Sequence, residues 1–136
     1  MISIRANPLA EEYGLSNLLH SEESVLHKSV DSQKRPYIIG HYPTKSCFYI
    51  RYGNETKGVL KYKMTGKEII DFYHTYVEEE ERGKGIGNLL AKAGMEYVVE
   101  KDLKAKLSCS FMQKFVDEAC LPIYYDRAIY SYPSKE

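Results

Sequence analysis

Ile69-Ile-Asp-Phe-Tyr-His-Thr-Tyr-Val77-Glu-Glu-Glu-Glu81-Arg82-Gly-Lys-Gly-Ile-Gly87 runs from apolar and aromatic residues, through four carboxylates, into a glycine-rich turn. Its first nine residues are nearly continuous in strand formers, the pattern of a central strand covered on both faces. After the turn, Ile86, Leu89, Leu90, Ala93, Tyr97 and Val98 recur at helical spacing, with Asn88, Lys92, Glu96 and Glu100 on the other side. That spacing predicts an amphipathic helix ending near Lys101.

Upstream, Cys47–Tyr52 is rich in strand formers and stops at Gly53-Asn54, a turn signal. Gly58–Met64 places Leu60, Tyr62 and Met64 on one face, and Thr65-Gly66-Lys67 turns the chain into Ile69. Three antiparallel strands joined by short hairpins follow. Downstream, Leu103–Cys109 reads as a short strand and Phe111–Ala119 as a second helix that stops ahead of Pro122. Ile123–Tyr130 fits a closing strand or a loose tail. The order predicts an α+β fold, a mainly antiparallel sheet with a central helix packed across it. Residues 1–45, with Pro8, Pro36, Pro43 and many polar residues, read as a loosely structured extension. Leu15, Leu18, Leu19, Val25 and Leu26 can support one short helix there. The domain itself is expected over residues 46–132.

The 136 residues suffice for a single core. Lys+Arg and Asp+Glu number 19 each, so the formal charge is zero, and nothing global favours nucleic acid or a membrane surface. Cys47, Cys109 and Cys120 form neither a CxxC pair nor a zinc-spaced cluster, so no disulfide framework and no metal are expected. No apolar run approaches the length of a membrane span or a signal peptide. A cytoplasmic protein is the expectation, with nuclear access possible. Early acidic residues argue against a mitochondrial presequence without removing that option.

The chemistry concentrates in the loop. Gly83, Gly85 and Gly87 leave no side chain between backbone and ligand, so successive N–H groups can form a nest backed by the helix dipole. Arg82 and Lys84 can add charge-assisted contacts. Such a loop suits a pyrophosphate or similar anion. It lacks the Lys-Ser/Thr of a P-loop, and hairpins precede it rather than a parallel unit, which also excludes the dinucleotide fingerprint. The run Glu78–Glu81 counts against an anion. It is expected to point outward as a solvated turn, with the glycine amides inward.

Arg82-Gly-Lys-Gly-Ile-Gly87 between a strand and a helix resembles the acetyl-CoA motif of the Gcn5-related N-acetyltransferase (GNAT) superfamily, Arg/Gln-x-x-Gly-x-Gly/Ala. His74-Thr-Tyr-Val77, Leu90-Ala-Lys-Ala93, Tyr97-Val-Val-Glu100, Asp102-Leu-Lys-Ala105, Leu107-Ser-Cys109, Gln113-Lys-Phe115 and Leu121-Pro122 extend the likeness over roughly residues 47–125. They point to a short subgroup resembling N-acetyltransferase domain-containing protein 1. The resemblance implies a truncated acyl-CoA N-acyltransferase fold, acetyl-CoA or coenzyme A as cofactor, and a primary amine acceptor on a Lys, an N-terminus or a small molecule. It implies that Tyr76 and Val77 offer backbone groups to the pantetheine arm. Arg82, Gly83, Lys84, Gly85, Ile86, Gly87 and Asn88 would then hold the pyrophosphate. It also implies an open acceptor groove, since the N-terminal helices of larger relatives cannot be counted here.

Three side chains are candidates for acetyl transfer. His74 is either a general base or a histidine bonded within the fold. Tyr124 follows the second helix, where larger relatives place a Tyr that protonates the leaving thiolate, yet it is one of thirteen tyrosines. Cys109 stands just before that helix, where an N-terminal dipole would favour thiolate, and is either a nucleophile or a packing residue. Cys47 and Cys120 read as structural. The alternative to an enzyme is a CoA-binding or protein-interaction module with little or no turnover.

Overall fold

The computed structural model describes residues 8–15 and 23–130. In chain order these form α1 (Pro8–Glu12), β1 (Ser24–Val30), β2 (Pro36–Tyr42), β3 (Cys47–Tyr52), β4 (Glu55–Met64), β5 (Ile69–Val77), α2 (Ile86–Glu100), β6 (Lys104–Leu107), α3 (Ser110–Ala119), α4 (Pro122–Tyr125) and β7 (Ala128–Tyr130). The strands make one seven-stranded sheet in sequence order. Pairing is antiparallel from β1 through β5, then parallel for β5–β6 and β6–β7.

The expected α+β architecture, a mainly antiparallel sheet crossed by a central helix, is the one observed. Leu90, Met95 and Val98 of α2 pack on Phe48, Ile50, Leu60, Ile70 and Phe72, all buried. The helix comes close because residue 94 is glycine: a Cβ there would stand 2.8 Å from the Leu60 side chain and 3.1 Å from the Phe72 ring. The other sheet face carries a smaller cluster in which Ala10 and Leu15 cover Tyr42, Cys47, Tyr49 and Val59. Cys47 is fully buried there, and burial pushes its thiol up to about 11, in keeping with a packing residue.

The N-terminal reading needs correction. Residues 24–42 are not a loose extension but two strands that continue the sheet, so the domain begins before residue 46. Pro36 opens β2 and Pro43 follows its end, positions where a missing N–H costs no interior ladder bond. Every residue of β1 is exposed, so its sequence carries no alternation to read. Val25 and Leu26, assigned to a helix, lie in β1, while Leu18 and Leu19 fall outside the described residues. At the other end, Ile123–Tyr125 belong to the short helix α4, and only Ala128–Tyr130 form the closing strand.

Candidate functional site

β5 and β6 pair only from Ile69↔Lys104 to Phe72↔Leu107. The Cys109 amide then donates to the Phe72 carbonyl at 2.9 Å, and no further ladder joins the two strands among the described residues. The register of β5 against β4 shifts at Tyr73, which falls between the pairs Tyr62↔Phe72 and Lys61↔His74. The Glu78 amide donates to the Lys57 carbonyl of the strand before it. By strand alternation, His74 and Tyr76 therefore turn their backbone groups to β4, while Thr75 and Val77 turn theirs into the gap left by β6. Tyr76 thus does not offer its backbone to a ligand in the gap, contrary to expectation. Thr75, which the sequence did not single out, takes that position beside Val77.

A cleft of about 600 Å³ opens at this gap, walled by Thr75, Val77, the glycine loop and Phe111. Gly83 and Gly85 hold φ of +82° and +85°, the left-handed region that other residues avoid, with Lys84 between them. Gly85 is the N-cap of α2 and carries no capping side chain. The Gly85 carbonyl accepts from the Leu89 amide at 3.1 Å as the first helical bond, so the amides of residues 86–88 have no acceptor within the helix. Gly87 is required for a different reason: a Cβ there would lie 2.7 Å from the tip of Phe111. The donor set, the uncapped helix and the room in front of it fit a pyrophosphate with an extended arm running along Thr75 and Val77.

The flanking charges are arranged less simply. Arg82 donates its Nε to the Val77 carbonyl at 2.9 Å, and its guanidinium lies 5.3 Å from the Tyr76 ring centre. Lys84 does not face the cleft alone, since its Nζ is 3.6 Å from Glu81. Asn88 is exposed on the cleft rim, and Ile86 is largely core. The carboxylate run does not all point outward as expected. Glu79 and Glu80 are exposed, but Glu81 is 3 % exposed. Arg35, from the β1–β2 connection, donates both terminal nitrogens to Glu81, at 3.1 and 2.9 Å. That fork holds the Glu81 carboxyl below its ordinary range. Neither Arg35 nor the burial of Glu81 carries a local sequence signal, because the two residues meet across 46 positions.

The three catalytic candidates separate. Cys109 is the N-cap of α3, half-buried, with Sγ 3.3 Å from the hydroxyl of Thr75, a residue of the cleft wall. His74 projects from the opposite face of β5 and meets the Tyr13 hydroxyl at 2.6 Å through Nε2. Tyr13 follows α1, so this side of the sheet is covered by the short N-terminal helix and its tyrosine. Tyr124 is 2 % exposed, and its hydroxyl donates to Glu96 on α2. Burial, reinforced by Glu96, raises its pKa further from neutrality. It lies among the core residues and does not line the cleft. The described residues hold no cluster of His, Cys, Asp or Glu suited to a metal, and no helix long and apolar enough to cross a membrane.

Comparison with known proteins gives a consistent result. The family model described as GCN5-related N-acetyl-transferase matches residues 47–120. Protein NATD1 of Mus musculus is 43% identical over 96 residues, 70% of this chain and 87% of that protein. Protein NATD1 of Xenopus tropicalis is 48% identical over 90 residues, 65% of this chain and 83% of that protein. Among solved structures, a GCN5-like protein of Staphylococcus aureus determined by NMR superposes with a TM-score of 0.50 at 30% identity, over 64% of this chain and 84% of its own.

Proposed function

The chain belongs to the GCN5-related N-acetyltransferase family, and from that premise we propose that it transfers acetyl from acetyl-CoA to a primary amine. One observation carries this reading. The gap between β5 and β6, with the backbone of Thr75 and the amide of Val77 turned to it, leads directly to the uncapped N-terminus of α2 and its glycine nest. Amides of the nest and the side chains of Arg82 and Lys84 bind the pyrophosphate. The Thr75 carbonyl and the amides facing the gap orient the pantetheine arm, and a backbone N–H at this edge polarises the carbonyl of the acyl group. The thioester supplies an activated acetyl, so the protein's task is positioning plus a neutral amine. The acceptor class we infer is an exposed Lys, an N-terminal amine or a small amine.

Calorimetry with acetyl-CoA tests the assignment. Affinity on the order of micromolar, or ~8 kcal/mol, is expected. Gly85→Asp puts a β-carbon on a left-handed residue and a negative charge where phosphate sits, and it should abolish measurable binding. Wild-type affinity in that variant would overturn the loop assignment. A second reading, a CoA-binding module with little turnover, is favoured by the separation of the candidate side chains: His74 is bonded to Tyr13 and Tyr124 to Glu96, on neither side of one reacting position. Binding of acetyl-CoA without loss of its thioester, across a panel of amines and peptides, would select that reading.

A further inference from the structure

The site contains a contradiction that its wider surroundings resolve. Glu81 immediately precedes the phosphate loop and forms part of the cleft wall, and its side chain is only 4% exposed. A buried carboxylate at this point would repel a diphosphate, and it would compete for Arg82 and Lys84, the two cations next to it in sequence. Arg35 offsets most of this charge, and of the two neighbouring cations only Lys84, with Nζ 3.6 Å from Glu81, is still drawn to it. The Nε of Arg35 is held by Asp31 at 2.8 Å, its guanidinium lies 4.5 Å from the Tyr52 ring centre, and its two remaining nitrogens are thereby aimed as a fork at Glu81. With Glu81 occupied, Arg82 rests on the neutral Val77 carbonyl and keeps its charge at the mouth of the cleft.

We propose that Arg35 is a positioning residue of the cofactor loop: by taking both oxygens of Glu81, it turns an acid-rimmed turn into an anion site. The inference rests on the coenzyme A reading above. It also assigns the β1–β2 hairpin a role in binding, although Arg35 lies outside the stretch, 47–120, that matches the family model. Asp31 orients Arg35 and is part of the same device: its Oδ1 also accepts from the amides of Gln33 and Arg35, so the hairpin turn is built around it.

A double-variant cycle tests this with the full chain and coenzyme A as the calorimetric probe. Arg35→Met should weaken binding by about tenfold or more, through an uncompensated carboxylate in the cleft wall. Arg35→Met combined with Glu81→Gln should recover most of that loss, because the charge Arg35 offsets is gone. Arg35→Lys, which keeps the charge and loses the fork, should fall between wild type and Arg35→Met and stands in if the latter fails to fold. Failure of wild type to bind coenzyme A would overturn the reading of the cleft itself. Wild-type binding that persists in Arg35→Met and Arg35→Lys would overturn the role of Arg35 alone. A loss in Arg35→Met that Glu81→Gln does not restore would also overturn it, since Arg35 would then act by holding the hairpin.

Discussion

Cys109 and Thr75 show what a single contact adds to a residue type. Before the fold is known, the thiol is one of three, set apart by its helix-start position and by the stretch Leu107-Ser-Cys109 that shares in the family likeness. In the structure its Sγ meets the Thr75 hydroxyl at 3.3 Å, on the strand edge that faces the gap. If the thiol relays the acetyl group, its sulfur bonds to the acetyl carbon, the coenzyme thiolate leaves and takes a proton, and the amine then displaces the cysteine. Cys109→Ala and Cys109→Ser should then both bind coenzyme A as wild type does and lose transfer by on the order of a hundredfold. Mass spectrometry should find an acetyl adduct on wild type alone. Unchanged transfer in Cys109→Ala would leave the amine attacking directly. The glycine loop was readable in advance because positive φ restricts residue choice at Gly83 and Gly85. Tyr124 was not, since a hydroxyl's role depends on its partner, and Glu96 stands 28 positions away.

Helix α2 is the element that both sheet and cleft depend on. It was evident from its period, and so were the three hairpin-linked strands before it, because each alternates or runs apolar within a few residues. The β1–β2 hairpin was not evident. Its exposed edge strand has no inward face, and what anchors its turn, Arg35 on Glu81, is non-local. Close approach of α2 to the sheet makes a specific demand on Gly94. Gly94→Ala gains helix propensity of about 1 kcal/mol but inserts a methyl 2.8 Å from Leu60. Steric cost should win, with net destabilisation of about 1–2 kcal/mol in urea unfolding. Coenzyme A affinity of the folded fraction should not change, because the residue is two turns from the loop. A more stable Gly94→Ala protein would show that α2 can lift from the sheet.

At the scale of the whole molecule, buried titratable groups set the response to acid. His41 is 3% exposed, stacked on Phe48 at 4.3 Å, and its Nε2 is 2.6 Å from the Tyr62 hydroxyl. Burial, with a smaller contribution from Lys101, pushes its pKa down to about 4. The unfolded chain protonates this group below ~6.5 while the native chain keeps it neutral. Stability should therefore fall as pH drops from ~6.5 towards 4, by roughly 3 kcal/mol from this one group. Glu81, whose carboxyl is held down by Arg35, acts in a lower window: its contribution is present above the ordinary carboxylate pKa and is lost as pH falls through its depressed native value. Melting temperature measured against pH should show the first of these losses in wild type. It should be much reduced in His41→Phe combined with Tyr62→Phe, which removes both ends of the buried hydrogen bond. An equally steep profile in that double variant would assign the acid sensitivity elsewhere.

The early parting of β5 from β6 also gives the molecule a built-in isotope reporter. Amides of His74, Tyr76 and Glu78 are turned to β4, with Glu78 bonded to Lys57, and should trade their protons for deuterons slowly whether or not the cleft is filled. Amides of Thr75 and Val77 point into the gap and should exchange fast in the free protein. A bound arm that accepts from either one will slow that residue and leave its neighbours alone. Odd-numbered protection arising along five consecutive residues would thus locate a ligand on this strand edge without a crystal, a label or any turnover.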